Sequence, residues 1–175
     1  MDSSIIITFA IPLFFGLILI EFFYGVITKQ NNYRINDAIT SMSLGLISRF
    51  VPILGLGFQY VVYKAVAEHY NFNLLNGEEV WVWVTAFVLY DVCYYWMHRI
   101  HHEIKVFWAT HVVHHHGEEF NLSTALRQTS TGFLWKWVFF LPMFIIGIPP
   151  HIYVSVAGLN LVYQFWVHTE HTVSY

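Results

Sequence analysis

Charge is what this sequence has least of. Asp, Glu, Lys and Arg together make up 11% of its 175 residues, where soluble domains carry about 25%. Against that, 57% of the chain is hydrophobic and 19% aromatic. Too little polar surface is left to wet the outside of a globule, so an integral membrane protein is the simplest reading. The net charge of −3 comes without a basic patch, which argues against a nucleic-acid partner. Cysteine is nearly missing too. Cys93 stands alone, which excludes an intrachain disulfide and argues against an iron–sulfur centre or a structural zinc finger. Inside its apolar run it reads as a small buried hydrophobe. The first residues offer neither the basic leader nor the small-residue cleavage site of a signal peptide, so the run from Ile5 is expected to remain as a membrane helix. Internal repeats and low-complexity tracts are absent.

Several apolar stretches are present. The first, residues 5–27, is interrupted by Pro12 and Glu21. Glu21 reads either as a site residue, since intramembrane carboxylates are functional candidates, or as a residue facing other helices or an interface. The basic loop from Lys29 to Arg34 belongs in the cytoplasm by the positive-inside rule. Residues 41–67 would span roughly 40 Å as one helix. The stretch carries Arg49, Pro52, Gly55 and Gly57 in its middle; a helix tilted or kinked at Pro52 is expected there, with a re-entrant hairpin as the less favoured alternative. Residues 68–79 contain Glu68, Glu78 and Glu79 but no Lys or Arg, which suits the outer side; His69 here reads as a surface histidine. The span over residues 80–97 opens with Trp81 and Trp83, as an interfacial aromatic belt would. Towards its other end Asp91, Tyr95, His98 and His102 step by four, three and four, which puts them on one helix face. Residues 99–132 are polar enough to lie outside the bilayer, and NLSTALR (121–127) reads as a cap, at Asn121 or Ser123, leading into a helix. Residues 133–148 end in the stop signal Gly147-Ile148-Pro149-Pro150. A helix out, a Pro-Pro turn and a helix back over 151–167 would return His168 to the face where the histidines of residues 94–116 lie.

The polar groups that do occur are concentrated. Seven of eleven histidines (His98, His101, His102, His111, His114, His115 and His116) fall in residues 94–116. On a helix, positions i and i+4 point the same way and can grip one ion. That spacing occurs at His98/His102 and at His111/His115, with His114 at i+3 from His111. Spacing alone leaves His101 and His102 as alternatives. Neutral imidazole suits iron, zinc, copper and nickel alike. A bis-histidine haem fits poorly, because it needs single axial histidines on facing helices. A zincin-type peptidase needs a glutamate beside the first histidine, and Arg99 is there instead.

These residues resemble a known family. DVCYYWMHRIHH (91–102), WATHVVHH (108–115) and NLSTALR (121–127) are similar to the fatty acid hydroxylase/sterol desaturase superfamily. With Glu103, Arg127-Gln128 and YQFWVHTE (163–170) added, the wording is most similar to its alkylglycerol monooxygenase branch. The resemblance covers roughly residues 80–170. It implies an all-α, multi-pass membrane bundle carrying a non-haem di-iron centre on the cytosolic side. Such a centre uses dioxygen and an external electron donor, possible donors including a tetrahydropterin, to oxidise a membrane lipid. In the closer branch that means oxidation beside a glyceryl ether oxygen, after which the hemiacetal splits to an aldehyde. By motif, the resemblance makes His98, His102, His111, His114, His115 and His168 metal ligands, and Asp91, Asn121 and Glu170 partners that orient imidazoles. His101 and His116 stand where the family has other residues. The family's last element, a further His-x-x-His-His after His-Thr-Glu, has no counterpart up to Tyr175, so a chain truncated at its C-terminus is expected. The expected division is residues 1–79, N-terminal membrane helices, and 80–175, the histidine-bearing hydroxylase-like region. Readings from other classes are a non-catalytic metal-binding or metal-transport membrane protein, and an inactive fragment of the enzyme.

Overall fold

The computed structural model describes residues 3–54, 58–75, 77 and 79–171, leaving aside the side chains of 3–8, 49, 51–54 and 60. Gly55, Gly57 and Glu78, and the side chains of Arg49 and Pro52, lie outside what is described. Among the described residues the structure is helical throughout, with no strand: α1 Ser3–Thr28, α2 Ile35–Leu54, α3 Phe58–His69, α4 Val80–Glu103, α5 Lys105–His115, α6 Lys136–Ile146 and α7 Pro150–Phe165. Residues 41–67, expected as one helix tilted or kinked at Pro52, are divided between α2, which ends at Leu54, and α3, which begins at Phe58; residues 55–57 lie outside what is described.

The core forms where aromatic and aliphatic faces meet. Tyr63 of α3, Val82, Ala86 and Tyr90 of α4, Phe140 and Phe144 of α6, and Ile152 and Val156 of α7 are buried together. Within this cluster Tyr63 stacks on Phe144 at 4.2 Å and Tyr90 on Phe140 at 4.8 Å between ring centres. Cys93 packs against its margin. A second cluster joins α1 to α7 through Ala10, Phe14, Ile18 and Phe165, with Phe14 stacked on Phe165 at 4.1 Å. Stacked pairs of this kind add about 0.5–1.5 kcal/mol each beyond the area they bury. The outward faces of α1 and α4 are also apolar, with Phe9, Ile20, Ile27, Val84 and Val88 exposed. Among the described residues, Phe9–Thr28 and Val80–Glu103 are long and apolar enough to cross a membrane. At 11 residues, α6 rises only about 16 Å, half a hydrocarbon core.

Two turns aim the site. Ile104 is extended (φ −106°, ψ 121°) and ends α4 just before α5 begins, so the two helices fold back on each other. After α6, Gly147 takes φ +112°. Its N–H donates to Phe144 O and that of Ile148 to Met143 O, at 3.2 and 2.9 Å, which closes the carbonyl end of the helix as a Schellman turn does. Pro149 caps α7, Pro150 starts it, and the chain returns as the Pro-Pro spacing predicts. The α3–α4 loop seals the remaining carbonyls, since Phe72 N–H donates to Ile145 O and Leu74 and Leu75 N–H to Ile146 O.

One local expectation needs correction. NLSTALR forms no long helix. It makes a 3-10 turn over Thr124–Leu126, and a second such turn, Gly132–Leu134, precedes α6. Asn121 Oδ1 accepts from Ser123 N–H and Oγ–H, at 3.1 and 2.6 Å, a local loop closure that competes with helix formation. Of the two tryptophans that open α4, Trp83 packs against the core and lies 6.4 Å from the His151 ring, while Trp81 is exposed.

Candidate metal centre

The α4–α5 hairpin brings two helix-spaced histidine pairs face to face. His98 and His102 lie with their Nε2 atoms 3.1 Å apart, and so do His111 and His115. One candidate nitrogen from each of the four lies within 4.8 Å of all the others. Two rings at 3.1 Å could share a proton, but four converging nitrogens exceed what hydrogen bonding requires. With metal–nitrogen bonds of ~2.0–2.1 Å, the edges of a tetrahedral site are about 3.3 Å, close to the observed spacing. His111 is the buried member and sits at the centre, with ring centres 4.7, 5.0 and 4.8 Å from those of His98, His102 and His115.

A second pair stands beside the first. The Nε2 atoms of His114 and His168 face each other at 3.4 Å. Their Nδ1 atoms contact the carbonyls of Arg127 and Gln164, at 2.7 and 2.9 Å. A carbonyl only accepts, so both Nδ1 atoms carry the proton and both Nε2 atoms present lone pairs. Two lone pairs aimed at each other repel unless a cation or a bridging donor lies between them, and this donor set fits a metal ion. Burial holds these imidazoles neutral. It pushes His114 down to about 4, aided by neighbouring His168, His115 and Lys136 and opposed by the Arg127 carbonyl. His111, His115 and His168 are also lowered, chiefly by burial.

This has a pH consequence. In the unfolded chain histidines titrate near ~6.5, so as pH falls through that value the unfolded state takes up protons before the folded one. Stability of the metal-free protein should therefore fall as pH drops below about 6.5, through about 4 where His114 titrates, and on towards the lower value of about 2 at His111. Denaturation midpoints at pH 7.5, 6.5, 5.5 and 4.5 check this; a midpoint that does not fall below pH 6.5 would contradict it.

His101 and His116 fall outside the four-nitrogen group. His101 is buried, with Nδ1 on Met97 O at 2.7 Å, and His116 is exposed at the end of α5. Among the described residues, no hydrogen bond joins Asp91, Asn121 or Glu170 to an imidazole. Asp91 accepts from Asn160 Nδ2 at 2.7 Å, Asn160 accepts in turn from Gln164, and Gln164 accepts from Tyr94 Oη at 2.7 Å. Asn121 donates to Asn32 O at 2.7 Å, and Glu170 is exposed. Tyr94, not Tyr95, is the inward tyrosine: it stacks against His98 at 5.7 Å, whereas Tyr95 is exposed and accepts from Arg99.

The site opens on an apolar cavity of about 280 Å3. His111, His114 and His168 form part of its wall, Phe14, Phe15, Leu46 and Val162 line its apolar part, and Gln128 and Thr129 add polar groups. Gly45 of α2 also lines it. A Cβ there would collide with the Leu126 carbonyl, so α2 approaches the 124–127 segment as closely as only glycine allows.

A profile of the fatty acid hydroxylase family matches residues 83–175, the half of the chain that bears these histidines. The chain belongs to that family. Within it, alkylglycerol monooxygenases are similar over most of this sequence. The zebrafish (Danio rerio) protein is 41% identical over 162 residues, covering 92% of this chain and 36% of its own length. The human protein is 39% identical over 162 residues with the same coverage, and that of Xenopus tropicalis 37% over 157 residues, 90% of this chain and 35% of its own. The chain thus spans about a third of the length of the curated relatives it matches. No solved structure matches it. The hydroxylase profile begins within α4, whereas the similarity to the three monooxygenases covers most of the chain.

Proposed function

We propose that this chain forms part of a di-iron, dioxygen-dependent lipid monooxygenase, with the site on the cytoplasmic side of a membrane. The observation that carries the reading is the juxtaposition of a four-nitrogen histidine group and a second histidine pair in the wall of an apolar cavity. His98, His102, His111 and His115 are the proposed ligands of one iron, and His114 and His168 contribute to the other. Two irons supply, when bound, the oxidising power that an unactivated C–H bond needs from dioxygen. The protein's own part is to hold neutral imidazoles, to exclude water and to accept a lipid chain. The cavity lies near the small end of the ~300–1,000 Å3 range of ligand pockets, enough for part of a chain entering from the bilayer. Asp91, through Asn160 and Gln164, acts on His168 at one remove, and Asn121 acts on His114 by fixing the loop that carries Arg127.

Apolar outward faces on α1 and α4 support membrane insertion. Lys29 and Arg34 on one loop, and Arg99, Lys105 and Arg127 near the histidines, support a cytoplasmic site; Arg34 pairs with Glu119 at 2.7 Å, joining the two regions. Residues 1–79 then supply membrane helices and bracing, and 80–175 the metal-bearing region. The named activity of the relatives favours an ether lipid as substrate, with a tetrahydropterin or another external donor as reductant. Purified protein reconstituted with ferrous iron should consume dioxygen in step with oxidation of an alkylglycerol in the presence of a reduced pterin. Failure both to bind iron and to turn over lipid would overturn the proposal; metal flux into vesicles without oxygen uptake would support the transport reading.

A further inference from the structure

The buried carboxylate in α1 is not explained by membrane insertion. Glu21 is 7% exposed in a helix whose neighbours are almost all apolar, and an unpaired charge there is expensive. Its two oxygens reach two different parts of the site. Oε1 accepts from Thr169 Oγ–H, the residue after His168. Oε2 accepts from the Leu122 N–H at 2.8 Å and from Tyr33 Oη–H. Leu122 belongs to the loop whose Arg127 carbonyl holds His114 Nδ1. Tyr33 remains a donor, its phenol held protonated by burial and by Glu21 itself.

His168 lies beyond the end of α7 at Phe165, so helix geometry does not fix it. Thr169 anchors the chain locally by accepting from the His171 N–H at 3.1 Å, and Tyr24, one turn on from Glu21, meets the His171 ring edge-on at 5.2 Å. These contacts join segments 101 and 148 residues apart in sequence. We propose that Glu21 is a positioning residue that sets His114 and His168 opposite each other, one carboxylate oxygen acting on each member of the pair. The inference rests on the reading of that pair as a metal site, but its central test does not require metal.

With histidine-selective 15N labelling, the metal-free protein should show single Nδ1-protonated tautomers for His114 and His168. In Glu21→Ala the His168 ring should average between tautomers and His114 should shift, while His98 and His111 keep their wild-type signals. Thr169→Val removes only the Oε1 arm and should disturb His168 alone; Glu21→Asp should restore part of the order. With Co2+ as probe, Glu21→Ala should weaken the second equivalent by about 10–100-fold, as loss of an orienting partner does, and leave the bands of the first unchanged. Unaltered His114 and His168 signals in Glu21→Ala would overturn the proposal, and so would equal disturbance of all cluster histidines, which marks general loosening. If the wild type takes up one cobalt only, the metal reading of the pair fails while the tautomer result still decides the positioning role.

Discussion

His111→Ala is expected to abolish tight divalent-ion binding and to reduce any dioxygen-dependent lipid oxidation to background. His111 is the one buried member of the four-nitrogen group, and its ring is within about 5 Å of the other three. It also lies 5.5 Å from His114 and in the cavity wall, so it is the side chain through which both histidine groups and the cavity meet. Removing an orienting partner of a metal ligand already costs about 10–100-fold in affinity, and loss of a central ligand costs more. Alanine keeps α5 helical, so far-ultraviolet circular dichroism should be unchanged. His116→Ala is the matching control, since that exposed ring lies outside the group and its loss should leave affinity within experimental error. Calorimetric titration with zinc, and the visible bands of cobalt, give the readout. A His111→Ala protein that still bound one zinc with wild-type affinity would show that the four nitrogens do not act as one site.

The pairs within that site are legible in the sequence because helical spacing is local information. His98/His102 and His111/His115 follow from the i, i+4 rule, and the Pro149-Pro150 turn correctly returns His168. Which side of a helix faces inward is less legible. Asp91, Tyr95, His98 and His102 do lie along one stripe, but burial centres on Tyr90, Met97 and His101. The stripe therefore lies at the boundary of the buried face, and Tyr94 takes the inward place expected of Tyr95. The polar partners are the least legible. Glu21 stood out as an anomaly, yet its donors at Tyr33, Leu122 and Thr169 are tertiary contacts that local spacing cannot encode. Gly45 gave no signal at all: a glycine in an apolar helix looks alike whether it is packed against a backbone or open to lipid. Asn121 carried the opposite error, because an Asn before Ser-Thr reads as a helix cap but here closes a turn.

Asp37→Ala should destabilise the protein by about 3–5 kcal/mol, the cost of leaving a buried ion without its partner. Arg127 Nη2 meets Asp37 Oδ1 at 2.8 Å with both side chains largely out of solvent, and its Nε donates to Ser41 Oγ at 3.2 Å. The ion pair ties the 124–127 segment to α2, where Gly45 lets the backbones come close. The effect should reach the site, because the carbonyl of the same Arg127 fixes His114. Denaturant unfolding reads the stability, and a lower cobalt affinity at the His114–His168 pair reads the coupling. Asp37→Asn, which keeps an acceptor oxygen but no charge, should fall between the wild type and alanine. Replacing both partners, Asp37→Leu with Arg127→Met, removes the buried charges together and should recover much of the stability, while the segment loses its directional tie to α2. Stability and His114 order should then separate. If they do not, and the double variant restores both, apolar packing against α2 is sufficient to hold the carbonyl and the ion pair has no positioning role. An Asp37→Ala protein with an unchanged unfolding midpoint would instead mean that Arg127 finds water or another acceptor at no cost, which its burial argues against.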